Sequence, residues 1–278
     1  MPSLGNPLAN RGLASHLIGR AVLDAAVRVL APHSIDVMPL KGIWLQQFVY
    51  ADPSERRITD VDVLVPEGRY EGALAALRDA GWQRSGGNLT ETSFLAPDLP
   101  LPLDLHAALF VHDAFRMPAS ALFARGHADE DAFGVRVTLP DPLDVLAHLV
   151  GHFVKSRGGR DSEARALRDF PAFLERYALS PSHIAEHLER CGMARTSRYA
   201  LRCVPSELDR NAKCRAVLAA LAPDPLGSAC AAAMLALRRR ATQNSKAAVL
   251  PGFVLEASLA RGVRSALLRA VDRALRGA

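Results

Sequence analysis

Four cysteines in 278 residues, with no Cys-x-x-Cys pair, are too few and too widely spaced for a zinc knuckle or a disulfide framework. Cys191, Cys203, Cys214 and Cys230 read instead as buried or half-buried thiols in a reducing compartment. No run approaches the roughly 18 uncharged apolar residues of a membrane span, and Met-Pro-Ser-Leu-Gly-Asn lacks the basic and apolar stretches of a signal peptide. The expectation is a cytoplasmic protein with no membrane role. Also missing are Gly-x-x-x-x-Gly-Lys-Ser/Thr, a Gly-x-Gly-x-x-Gly followed by a spaced acid, and Gly-x-Ser-x-Gly. P-loop, dinucleotide-binding and serine-hydrolase chemistry are thereby set aside.

What is present suits a folded chain with a sizeable core, since 49% of residues are hydrophobic and 23% charged. The formal charge of +5 is unevenly spread. From Ala231 onward nine Lys/Arg face two acids, Glu256 and Asp272, a balance that suits either a solvated helical face or attraction to a polyanion.

Periodicity separates a mixed first half from a helical second half. Leu13, Leu17, Ile18, Ala21, Val22, Ala25, Val29 and Leu30 predict an amphipathic helix stopped by Pro32. A short strand follows over Ile35–Leu40, then a turn at Lys41-Gly42, a helix over Ile43–Tyr50 and a buried strand over Val61–Val65 ended by Pro66. Arg69–Ala80 reads as a helix capped by Gly81. Strand-like pieces lie near Trp82 and over Ser93–Ala96, Leu101–His106 and Val135–Leu139, with Gly86-Gly87 as a hairpin tip. From Asp141 the spacing is helical throughout, and Ser180-Pro181 forms an N-terminal cap. The expected fold class is α/β: a small mixed-sheet core with an N-terminal helix over residues 1–140, followed by an all-helical region over 141–278.

The chemistry concentrates in Arg57-Ile-Thr-Asp60-Val-Asp62-Val-Leu-Val65. Strand side chains alternate, so Asp60 and Asp62 project from one side while Val61 and Val63 enter the core. Paired carboxylates repel and aspartate is poor in strands, so the pattern describes either an exposed strand start or a site for a hard cation such as Mg²⁺. Leu103-Asp104-Leu105-His106 repeats the alternation. If the two strands are neighbours, Asp104 completes a three-carboxylate cluster able to hold two metals for phosphoryl chemistry. Neutralising Asp60 or Asp62 should then relieve repulsion in the metal-free protein. His106 would orient a carboxylate or fill a structural role. His148 and His152 stand at i and i+4 on one helix, but Leu149 occupies the place of the glutamate in His-Glu-x-x-His, which favours packing or a site wall over zinc.

The ordered set Leu40-Lys41-Gly42, Arg57-x-x-Asp60-x-Asp62-x-Leu-Val, a helix ending in Gly81-Trp82, and Leu103-Asp104-Leu105-His106 resembles the uncharacterised nucleotidyltransferase family of the DNA-polymerase-β-like superfamily. The similarity continues through Thr138 to His152 and into Arg168-Asp169, spanning roughly residues 35–177. The resemblance implies transfer of a nucleoside monophosphate from an NTP to an acceptor hydroxyl or phosphate, with Mg²⁺ or Mn²⁺ on Asp60, Asp62 and Asp104. Lys41 and Gly42 would occupy the strand-to-helix turn where superfamily members commonly carry Gly-Ser to hold the nucleotide phosphates, and here the serine is absent. Arg57 would grip a β- or γ-phosphate, with Arg56 as its competitor. The acceptor is open among a small molecule, a biosynthetic peptide, a protein side chain and an RNA end. The missing serine keeps open the other reading, a catalytically weak nucleotide- or partner-binding module of regulatory or antitoxin-like kind.

Overall fold

The structure, a computed structural model, describes residues 7–88, 90–110, 114–155, 160–204, 211–229 and 231–233. The basic stretch after residue 233 and the Ser156-Arg-Gly-Gly segment lie outside the described residues. Two compact units partition the chain: the described residues of Met1–Leu109 with Met117–Val145, and those of Phe110–Arg116 with Leu146–Ala278. No helix among the described residues is long and apolar enough to cross a membrane.

The first unit opens with helix α1 (Pro7–Leu30), which runs into a 3-10 turn over Ala31–His33. Its buried stripe differs from the expected one in the first half. Leu13 and Leu17 are 47% and 59% exposed, while Gly12, Ser15, His16 and Gly19 face inward. The reason is close approach: a Cβ on Gly12 would lie 2.0 Å from the Ser54 carbonyl oxygen, and one on Gly19 would lie 2.5 Å from Ile58 Cδ1. From Val22 onward the inward face is apolar but rotated from the expected one: Val22 and Leu30 are buried as expected and Leu23, Ala26 and Val27 join them, while Ala21 is exposed and Ala25 and Val29 are half-buried.

Strand β1 (Met38–Pro39) leads into helix α2 (Lys41–Phe48), a short 3-10 turn over Pro53–Glu55, strand β2 (Val61–Leu64) and helix α3 (Tyr70–Asp79). Gly81 closes α3 at φ +84°, a left-handed backbone that glycine adopts without strain. Strands β3 (Gln83–Gly87), β4 (Glu91–Leu95) and β5 (Leu103–His106) complete a mixed sheet in the order β1-β2-β5-β4-β3. Gly86 and Gly87 are therefore not the hairpin tip: they pair with Ser93 and Thr92 inside β3, beside a register shift. A Cβ on Gly87 would meet the Glu91 carbonyl oxygen at 2.7 Å, so the glycine run serves close strand contact.

Helix α4 (Ala119–Arg125) and the two-stranded ribbon of β6 (His127–Asp129) and β7 (Val137–Leu139) finish this unit; neither α4 nor β6 had a strong sequence signal. Helix α5 (Pro142–Lys155) begins in the first unit, where Asp144 receives a two-pronged contact from Arg125 at 2.8 and 2.9 Å. The second unit is helical in its described elements: the rest of α5, α6 (Arg160–Arg176), α7 (Pro181–Arg190), α8 (Ala194–Arg202) and α9 (Asn211–Ala220). Phe153 anchors its core against Phe170 and Tyr199, with ring centroids 5.8 and 6.1 Å apart. Ser180 caps α7 as its sequence indicates, accepting from the His183 amide at 3.2 Å. Cys191, Cys203 and Cys214 are free thiols, and burial pushes the last two up to about 12 and about 11.

Candidate active site

Register builds the site. Strands β2 and β5 are parallel neighbours with Asp62 opposite Asp104, and antiparallel β4 places Ser93 opposite Asp104 and Glu91 opposite His106. The period-two alternation then lays Asp62, Asp104 and Ser93 in one row of a single sheet face, with His106 and Glu91 in the next row. Val61, Val63, Leu103 and Leu105 are fully buried, which holds both strands in a register that a one-residue slip would ruin.

Asp62 is 4% exposed and does not stand alone. Its Oδ1 accepts from Lys41 Nζ at 2.6 Å and from His106 Nε2 at 2.9 Å. His106, buried, also brings Nδ1 to 3.5 Å from Glu91 Oε2, and Glu91 in turn accepts from Asn88 Nδ2. Burial pushes the Asp62 carboxyl up, but Lys41 and His106 outweigh that and hold it well below the ordinary aspartate range. Burial likewise pulls Lys41 down, and the charge and hydrogen bond of Asp62, with Asp60 and Glu91 behind it, reverse the direction and raise it.

Asp104 has the opposite fate. Burial raises its pKa, the hydrogen bond from Ser93 Oγ at 2.6 Å lowers it, and the negative charge of Asp62 raises it again, leaving it above the ordinary value. Two carboxylates one strand apart are thus shifted in opposite directions by different partners. Asp60 is half-buried on the approach to β2, where Thr59 Oγ1 donates to it at 3.4 Å.

Lys41 reaches Asp62 because of an unusual turn. The Leu40 amide donates to the Asp62 carbonyl at 2.9 Å, extending the β1 ladder by one residue, and Lys41 then adopts φ +43° before α2 continues. A left-handed backbone is costly for a residue with a side chain. Here it turns the lysine from the sheet edge onto the neighbouring strand. Gly42 follows at the start of α2, and a Cβ there would lie 2.6 Å from Ile58 Cγ2, so packing demands this glycine independently of any ligand.

The loop between α2 and β2 is pinned from two sides. Gln46 Nε2 donates to the Arg56 carbonyl at 2.6 Å, while its Oε1 lies 3.2 Å from His16 Nδ1. Ser15 Oγ accepts from the Ile58 amide at 3.3 Å. Arg56 turns back to the Arg57 carbonyl at 2.7 Å, whereas Arg57 is exposed.

Of the residues singled out in the sequence, Lys41, Gly42, Arg57, Asp60, Asp62, Asp104 and His106 all fall in the first unit, at this face or on the loop and turn leading to it. His148 and His152 belong to the second unit, where their rings meet edge to face at 6.2 Å and His148 packs on Phe110 at 5.7 Å. Glu91, Ser93 and Asn88 were not anticipated. Glu91-Thr-Ser93 carries the same alternation as Asp104-Leu-His106, and pairing β4 against β5 is the signal that would have exposed them.

Carboxylate oxygens are the hard donors that a divalent cation such as Mg²⁺ prefers. Asp62 and Asp104 each engage Oδ1 within the protein, and no described residue hydrogen-bonds Oδ2 of either, so one oxygen of each carboxylate is open to a cation.

The solution structure of the antibiotic-resistance factor ANT(2'')-Ia is similar to this chain at 17% identity and a TM-score of 0.43, covering 65% of this chain and 92% of that one. The crystal structure of an antigenic nucleotidyltransferase-like protein from Paracoccidioides brasiliensis gives 16% identity and a TM-score of 0.40, covering 56% of this chain and 75% of that one. No curated protein matches the sequence. The uncharacterised nucleotidyltransferase family matches residues 16–208, a span that holds every residue of the acidic face and well over half of the chain, and the chain belongs to that family.

Proposed function

We propose that the chain transfers a nucleoside monophosphate from an NTP to an acceptor hydroxyl, or to a phosphate, with release of pyrophosphate. The observation that carries this reading is the direct register of Asp62 with Asp104 on adjacent parallel strands, with Asp60 at their mouth. Asp60, Asp62 and Asp104 would hold two Mg²⁺ or Mn²⁺ ions, which when bound supply the positive charge that organises the triphosphate and eases departure of pyrophosphate. Asp104, whose Oδ1 is fixed by Ser93, would turn Oδ2 to the catalytic metal and so help deprotonate the acceptor hydroxyl. Asp62 stays ionised, oriented by His106 with Glu91 behind it. The Gly42 amide at the start of α2 and the exposed Arg57 guanidinium would meet the phosphates.

The decisive experiment incubates the protein with NTPs labelled at the α-phosphate, Mg²⁺ or Mn²⁺, and acceptors of each class: small hydroxylated molecules, peptides, proteins and RNA ends. Label transfer identifies the reaction, the nucleotide and the acceptor together. Binding is measurable without turnover: NTP with either metal should raise the melting temperature, because a ligand taken only by the folded state stabilises it by mass action. Calorimetry showing no nucleotide binding at millimolar concentration with either metal would end this reading.

A nucleotide-binding module without turnover is the second reading, favoured by the pairing of Lys41 with Asp62. Kinetics separate the two. If Arg57 engages charge that develops as pyrophosphate leaves, Arg57→Ala should lower kcat by on the order of a hundredfold, and Arg57→Lys should not restore it, since an ammonium lacks the two-bond grip. Lys41→Ala should mainly raise the KM for NTP. Arg69→Ala, an exposed arginine on the approach to α3, serves as the control, and equal small effects in all of them would favour the binding module.

A further inference from the structure

The face that holds Asp60, Asp62, Asp104 and Glu91 has one lysine, and that lysine is directed at the acid that sits deepest. Lys41 Nζ lies 2.6 Å from Asp62 Oδ1, with the two side chains 14% and 5% exposed. The placement is built by the backbone: Lys41 stands at φ +43° between an extended Leu40 and a helical Gly42. A lysine at a strand-to-helix turn has no need of that conformation to reach solvent. The turn spends local strain to bring an ammonium onto a carboxylate.

We infer that Lys41 is a resident counter-ion which a divalent cation must displace from Asp62, so that metal arrival and release of the lysine toward the nucleotide phosphates form one exchange. The inference rests on the metal-site reading of Asp62 and Asp104 given above. An ammonium on Oδ1 and a metal on Oδ2 of the same carboxylate are like charges at a separation where repulsion is strong in a partly buried setting. Asp62 keeps its second partner when Lys41 departs, because His106 Nε2 donates to the same Oδ1 at 2.9 Å. The carboxylate therefore holds its orientation through the exchange. Without such a counter-ion the clustered acids would attract any divalent cation in the absence of nucleotide; with it, the metal binds fully only when phosphates are present to take the lysine.

The test is a titration with Mn²⁺ alone, read by electron paramagnetic resonance of free Mn²⁺, with no nucleotide and no turnover. Lys41→Met removes the charge and keeps most of the aliphatic stem. Lys41→Gly removes the charge and also suits the left-handed backbone, which guards against a folding failure. Both should bind Mn²⁺ about tenfold tighter than the parent or more, while Lys41→Arg, which keeps the charge, should not. Arg28→Met, loss of an exposed cation on α1, controls for net charge, and circular dichroism establishes the folded fraction of each variant. Tighter binding in the Met and Gly variants that disappears on adding Asp62→Asn supports the exchange. Mn²⁺ affinity unchanged or weakened in both variants, yet still dependent on Asp62, overturns the exchange and leaves the metal site standing. No Mn²⁺ binding in the parent or any variant overturns both.

Discussion

Asp62→Asn and Asp104→Asn should both abolish turnover, by at least about a hundredfold, yet move the stability of the metal-free protein in opposite directions. Asp62 is the partner of Lys41 and His106, so its amide replacement leaves a half-buried ammonium facing a donor group; breaking a buried pair from one side costs about 3–5 kcal/mol. Asp104 is raised above the ordinary carboxyl value by burial and by the charge of Asp62, so its ionised form is disfavoured in the fold, and the neutral amide should raise the melting temperature. Asp62 and Asp104 repel each other equally, but at Asp62 the loss of the Lys41 and His106 contacts outweighs that relief, so the stabilisation expected from neutralising an acid appears only at Asp104. The pH dependence follows from the same directions. A depressed Asp62 contributes stability that is complete above the unfolded value of about 3.9 and is lost as pH falls through its lower folded value. Urea unfolding in EDTA between neutral and acid pH should thus show a steep acid limb in the parent that flattens in Asp62→Asn. Equal melting shifts of the same sign in both variants would contradict the assignment.

Much of this site could be read from alternation alone. Asp60-Val-Asp62-Val and Leu103-Asp104-Leu-His106 state which side chains share a face, and the buried valines and leucines between them state which face is core. Adjacency of the two strands was a condition that alternation could not supply, since pairing is a long-range choice made by the whole sheet. The partner of Lys41 was hidden for a local reason: nothing in Leu-Lys-Gly announces that the lysine, rather than the glycine, takes the left-handed position. Ser93 lay in an expected strand and Glu91 just before it, but only the antiparallel pairing of β4 with β5, a long-range choice, brings them opposite Asp104 and His106. The first half of α1 misled in a third way. Apolar periodicity picked Leu13 and Leu17, but the inward face is made of glycine, serine and histidine, whose value lies in close approach and hydrogen bonding rather than hydrophobicity.

That inward face prepares the second large effect, at Ile58. Its side chain, 1% exposed, fills the space that the missing Cβ atoms of Gly19 on α1 and Gly42 on α2 leave open, at 2.5 and 2.6 Å from where those atoms would stand. Ile58→Ala should cost about 2–4 kcal/mol, because two helix backbones already in close contact cannot collapse into the cavity. Ile58 directly follows Arg57 and lies two residues before Asp60, so the same change should lower kcat even at a temperature where circular dichroism shows a folded protein. Gly19→Ala supplies the discriminating second measurement. Alone it forces a methyl against Ile58 inside the core and should destabilise. In the Ile58→Ala background the 2.5 Å obstruction is gone, the end of the Ile43 side chain at 3.2 Å has the new cavity to move into, and the gain in helix propensity of up to about 1 kcal/mol is realised, so the same substitution should stabilise. Denaturant unfolding of the four proteins measures this as a coupling energy. A Gly19→Ala effect of one sign in both backgrounds would mean that Ile58 does not seat between the two helices, and the positioning of Arg57 and Asp60 would then need another anchor.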